Sequence, residues 1–220
     1  MKQMRVLLGS FVMIMSLMIS ITAYAGSQKD ESDGNDKDVF QSLINEILVI
    51  KENNPEMAEE SILNIMEAKH SDNPHERGIS DIWNALTDSE KKLCIRYPFD
   101  ALKVNSAKNI ATTQVERKFG YNGLGDRSDA FRHGIWNAEM TILIGKEKAE
   151  LFATAHEDKD TTGFESDGYS KEAHKQMDLH NNEVGRNLGS SNARASEDEM
   201  ADIIYKEVYA ENTLFVWLHE

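Results

Sequence analysis

Past residue 38 the apolar positions of this chain return every three or four residues, the period of a helix buried along one face, and almost never alternate as a half-buried strand requires. The stretch 39–52 (VFQSLINEILVIKE) shows the pattern clearly. Asn54-Pro55 then offers an N-cap and a first-turn proline for a second helix through about Lys69, so 39–70 reads as an N-terminal helical hairpin. Residues 71–79 (SDNPHERGI) read as a loop, after which Thr87 and Glu90 spell a capping box for a helix ending before Pro98. A helix is predicted from Asp100 to Phe119, closed by Gly120. Others follow at 128–144, 146–158 and 171–188, separated by Gly145 and by the turn-rich GFESDG of 163–168, and Ser196 with Glu199 caps a last one through about Tyr209. Only 213–218 (TLFVWL) looks strand-like, and one short strand makes no sheet. The expected fold is mainly α: a single-domain helical bundle of about seven or eight helices with at most one short C-terminal strand-like segment.

The N-terminus carries a different signal. Lys2 and Arg5 precede the apolar run Val6 to Ile21, and Ala23-Tyr24-Ala25 forms a small-x-small cleavage site, so 1–25 is expected to be a signal peptide removed near Ala25. The apolar run is shorter than the ~20 residues that span a bilayer. Residues 26–38 (GSQKDESDGNDKD) lack any apolar side chain and are expected to form a disordered linker to a single domain at 39–220. The reading is an exported protein, secreted or held in the periplasm or cell envelope.

Removing Lys2 and Arg5 leaves 22 basic against 38 acidic residues, a net charge of −16. That field repels phosphate backbones and anionic headgroups, so no basic nucleic-acid or membrane-binding surface is expected. Cys94 is the only cysteine, which excludes an intrachain disulfide and leaves stability to the core. Its setting, KKLCIRY, suggests a small buried hydrophobe.

The candidate chemistry lies in three blocks: DRSDAFRHGIWNAE (126–139), AHED (155–158) and MDLHNNEVGR (177–186). On a helix Asp126, Asp129, His133 and Asn137 fall in one stripe, bordered by Trp136, Met140 and Leu143, so the polar column is expected on a buried face. The second block places His156 beside the apolar face of its helix, with Glu157 angled away. In the third block Asp178 and His180 diverge by roughly 200° on a regular helix. His174, Asp178, Asn182 and Arg186 align instead, and only a turn at Asp178 would let His180 converge with it.

These residue types suit activated water. HExxH, GxSxG, GxGxxG and GxxxxGK[ST] are all absent, so no zinc-protease, serine-hydrolase or phosphate-cradling motif is present. A divalent metal such as Zn²⁺, held by Asp129, His133, His156 and Asp178 or His180, would lower the pKa of bound water to about 7. Glu157 is then the candidate base and Arg186 the anion clamp. A metal-free version uses Asp129 to orient His133 as base, with Asn181, Asn182 and Arg186 as oxyanion donors. A non-catalytic module whose His/Asp/Asn/Arg cluster is a structural polar network, or binds a partner, is the competing reading.

The blocks DAFRHxxWNA, AHE and MDLHNNxxGR, present at 129–138, 155–157 and 177–186, resemble the hallmarks of an uncharacterised bacterial domain family of small secreted proteins and polymorphic-toxin C-termini. The similarity runs from about Leu86 to Trp217. The resemblance implies a hydrolase with an immunity or envelope partner, and it points to His133, His156, Asp178 and His180 more than to His174. Gly134 stands where that family more often has alanine, a change expected only to weaken the helix mildly.

Overall fold

The computed structural model describes residues 31–70 and 77–220, so the expected signal peptide and the start of the linker lie outside the described residues. Among the described residues there are nine helices and no strand. They are α1 (Glu31–Asn53), α2 (Glu59–His70), α3 (Arg77–Ala85), α4 (Asp88–Arg96), α5 (Pro98–Phe119), α6 (Arg127–Ile144), α7 (Lys146–His156), α8 (Lys171–Ser191) and α9 (Glu197–Val208). The mainly α bundle read from the sequence is what forms. Among the described residues no helix is long and apolar enough to cross a membrane.

Local chemistry explains most helix ends. Thr87 Oγ1 accepts from the Glu90 N–H while Glu90 Oε2 accepts from the Thr87 N–H, the predicted capping box of α4. Ser196 and Glu199 repeat it at α9. Pro98 opens α5, where its missing N–H has no helical acceptor to lose, and Gly120, at φ 77, ends it with its N–H on Glu116 O.

Three boundaries depart from the sequence reading. Helix α1 takes in 31–38, because a helix anchored by buried Leu43, Ile44 and Ile47 extends toward its N-terminus without a new nucleation step. Asn54 does not cap α2. Its N–H and side-chain amide both donate to Ile50 O and close α1, and α2 starts at Glu59. Helix α3 is the additional element, docked by fully buried Trp83.

Helix α6 is buried on nearly every side, as a central helix must be, with α5, α7, α8 and α9 packed around it. One apolar cluster gathers Leu43, Ile47, Met66, Trp83 and Ile95 from the N-terminal helices. A second joins Val115, Phe131, Ile135, Ile204 and Phe215 around the other side of α6. Helices α6 and α8 touch through backbone: a Cβ on Gly185 would stand 2.2 Å from Gly134 O, and one on Gly189 would stand 2.6 Å from Ala138 O. Gly134 itself is closely packed, since a Cβ there would lie 2.6 Å from two ring carbons of Phe215. Its importance is steric, beyond the propensity effect expected from sequence.

The strand-like segment 213–218 finds side chains instead of a strand. Asn181 accepts from Val216 N–H at 3.0 Å and donates to Val216 O at 2.8 Å, His180 Nε2 bonds Leu214 O at 2.8 Å, and Leu218 N–H reaches Gly125 O at 2.8 Å. This C-terminal segment is thereby strapped across α8 to the start of α6.

Candidate functional site

The start of α6 sorts its two aspartates. Asp126 is the N-cap, accepting from the Ser128 and Asp129 N–H groups and from Ser128 Oγ, so it leaves the polar column and serves the helix end. Asp129, one turn on, is buried: its Oδ2 accepts from Gly125 N–H at 2.7 Å and its Oδ1 from Arg132. His133 follows, with Nε2 3.5 Å from Asp129 Oδ1 and 3.3 Å from Asp178 Oδ1 of α8.

The tautomer of His133 follows from a residue three hydrogen bonds away along a chain. Arg186 can only donate, and its Nη1 meets Asn137 Oδ1 at 3.0 Å, which turns Asn137 Nδ2 toward Asn182 at 2.6 Å. The Asn182 atom receiving that donor is its Oδ1, and the same oxygen lies 3.1 Å from His133 Nδ1. His133 Nδ1 must therefore carry hydrogen and donate. Neutral His133 consequently presents the bare lone pair of Nε2 to two carboxylates.

Electrostatics agree. Burial, aided by the Arg132 charge, pushes His133 down to about 3, so the ring is neutral at ordinary pH. Burial, with the Asp129 and Glu157 charges, pushes Asp178 up to about 8. Asp178 Oδ1 is buried without a hydrogen-bond partner, and it is the same oxygen that faces His133 Nε2. A lone pair facing carboxylate oxygens is repulsive unless a proton or cation lies between them. The donor atoms of Asp129, His133 and Asp178 all lie within 4.8 Å of one another, a set of N and O ligands that suits a divalent metal.

The structure brings together only part of the predicted set. His156 is kept apart: Trp136 stands between it and His133, edge-on to both rings at 5.2 and 6.4 Å, and His156 Nδ1 pairs with Glu90 Oε1 at 2.8 Å. His180 is also separate, because α8 runs unbroken from Lys171 to Ser191 and turns it outward to Leu214 O. His174, though on the aligned face, pairs with Asp167 at 3.0 Å. Glu157 is buried at the end of α7, its Oε1 3.5 Å from Asn182 Nδ2, so the AHE block reaches the cluster through its glutamate. Asn182 and Arg186 were expected to face substrate, but both are buried, Arg186 bonding Asn137 through Nη1 while its Nε has no partner, and they orient His133. Arg132 was missed; its only sequence signal is its place three residues after Asp129.

A cavity of about 430 Å³ opens beside this cluster, with Arg132, His133, Trp136 and His156 along one wall. Phe40, Ile82, Leu86, Val104 and Phe152 form much of the rest. Its size is that of a small-molecule pocket.

Residues 91–212 match the model of a family described as a domain of unknown function (DUF6973), and the chain belongs to that family. No curated protein matches the chain. No solved structure matches it either.

Proposed function

We propose that this chain is an exported hydrolase that holds a divalent metal ion, Zn²⁺ being the first candidate, through Asp129, His133 and Asp178. One observation carries the reading: a histidine lone pair at the wall of a cavity, its tautomer fixed from Arg186 through Asn137 and Asn182, faces one buried and one half-buried carboxylate. Where an ion binds, it supplies a Lewis acid that makes water nucleophilic near neutral pH. Glu157, whose Oε1 lies beside Asn182, would be the base for that water, and Arg132 would be the cation available to an anionic leaving group. A phosphoester is the preferred substrate class, because a metal ion and a guanidinium would together stabilise both its anionic oxygens and the charge that develops on the departing oxygen. The resemblance to polymorphic-toxin C-terminal domains supports a hydrolase with an immunity or envelope partner.

The test is metal content of the tag-free protein by mass spectrometry, before and after reconstitution, beside hydrolysis of bis-p-nitrophenyl phosphate. The proposal expects about one equivalent of metal in the parent and little in His133→Ala and Asp178→Asn, both folded. Sub-stoichiometric metal after reconstitution sinks the metal-dependent reading. The hydrogen-bonded Arg186–Asn137–Asn182 chain favours a second reading, a structural polar network in a non-catalytic module. That reading expects His133→Ala to melt far below the parent with no metal in either.

A further inference from the structure

The wall of the cavity changes character along its length. Helix α5 contributes Ala101, Val104, Asn105, Lys108, Ala111 and Thr112, a single stripe whose span is about 16 Å at the helical rise. Between its first residues and α1, α3 and α7 the lining is Phe40, Ile82, Leu86 and Phe152. At the wall formed by α6, the same space meets Arg132 and His133. The cavity therefore has an apolar part among Phe40, Ile82, Leu86, Val104 and Phe152 and polar groups elsewhere, with Arg132 and His133 at the wall it shares with the candidate metal centre.

Two hydrogen-bond donors at that end are unused. Arg132 Nε and Trp136 Nε1 are each buried with no partner, although both residues line the cavity. Buried N–H groups are normally satisfied, and a pair of orphans on one cavity wall marks the place of an acceptor that a ligand brings. The part of the cavity lined by Phe40, Ile82, Leu86, Ala101, Val104 and Phe152 offers no side-chain donor or acceptor, whereas Asn105, Lys108 and Thr112 make the rest of the α5 stripe polar.

We propose that the substrate is an acyl amphiphile, its hydrocarbon chain lying among Phe40, Ile82, Leu86, Val104 and Phe152 and its carbonyl or anionic head accepting from Arg132 Nε and Trp136 Nε1 beside His133. The inference rests on the hydrolase reading of the same centre. It adds to the phosphoester reading the hydrocarbon part of the substrate that the centre receives.

The experiment is fluorescence titration of the full chain with dansylaminoundecanoic acid, competed by butyrate, hexanoate, octanoate and decanoate, with metal content measured in parallel. Each pair of added methylenes should strengthen competition about tenfold until the chamber is full. Val104→Trp should weaken the probe at least tenfold without changing metal content, with circular dichroism confirming its fold. Ile82→Trp, on the opposite wall, repeats the test should Val104→Trp misfold. Arg132→Gln should remove the advantage of decanoate over its methyl ester and leave the dependence on chain length. Equal competition by butyrate and decanoate, or full probe binding by folded Val104→Trp, overturns the proposal. Stoichiometric metal without probe binding overturns it while sparing the hydrolase reading. Probe binding in a protein that holds no metal overturns the chamber's role as a substrate subsite and the metal reading with it.

Discussion

Replacing Gly185 by alanine tests whether the α6–α8 contact sets both stability and the site. The new Cβ would stand 2.2 Å from Gly134 O and 2.9 Å from Gly134 C and Cα, all backbone atoms that no rotamer change can move. Restoring a contact of about 3.4 Å requires α8 to retreat from α6 by about 1 Å. The 3.1 Å bond from His133 Nδ1 to Asn182 and the 2.6 Å bond from Asn137 to Asn182 then lengthen beyond useful range. Overpacking costs about 2 kcal/mol. The two buried hydrogen bonds add about 2. Alanine's better helix propensity returns about 1. The net loss is about 3 kcal/mol, and for a domain of this size Tm falls by about 10 °C. Urea denaturation and calorimetry of the two proteins read it directly. Gly78→Ala is the control, since its Cβ would meet Val39 at an ordinary 3.4 Å, and it should be neutral or stabilising by about 0.5 kcal/mol. If Gly185→Ala melts with the parent, the helices do not meet as described and the geometry of the site falls with them.

Gly134→Ala should lose about 1–2 kcal/mol in urea denaturation, because the methyl group displaces the buried ring of Phe215. Burial, aided by the Glu197 charge, raises Glu139 from 4.5 to about 7, so the folded state holds its proton more tightly than the unfolded chain. That contribution is fully present below pH 4.5 and is lost as pH rises through 7, so urea midpoints should show Glu139→Gln gaining on the parent by about 2 kcal/mol between pH 5 and 8, after discounting the shift for solvent screening. Burial likewise pushes the Cys94 thiol up to about 12, so it should resist a disulfide reagent at pH 8 in the native protein and react at once in urea.

The capped helices were legible because their signals are local. Thr87 with Glu90, Ser196 with Glu199, and Gly120 act within a few residues of themselves, and each does what its pattern says. Helix α3 was hidden although Ile79, Ile82, Trp83 and Leu86 keep helical spacing, because the polar run before it was extended into it as a loop. Asn54-Pro55 misled for a related reason: the same asparagine can open one helix or close another, and here the carbonyl of Ile50 is nearer. At the site, the stripe Asp129, His133, Asn137 and the face Asp178, Asn182, Arg186 could be read from one helix each. Which histidines meet them depends on neighbours brought by other helices, as Trp136 and Glu90 decide for His156. The strand propensity of 213–218 was real, but its partner is an asparagine side chain, which no periodicity reveals.

The balance of charge around His133 narrows what the centre admits. Asp129, Asp178 and Glu157 bring three carboxylates into buried or nearly buried positions, and Arg132 is the cation in contact with them, Lys159 being exposed. A proton on Asp178 removes one of the negative charges and leaves an excess of one. A divalent ion with all three ionised leaves none, which is the state of least unpaired charge in a low dielectric. Under the proposed hydrolase reading, that state would also spare an anionic substrate repulsion, because its head would meet Arg132 and a neutralised centre. The tautomer set by Arg186 is compatible with that proposed state, since a hydrogen on His133 Nε2 would block the lone pair through which a cation would be held.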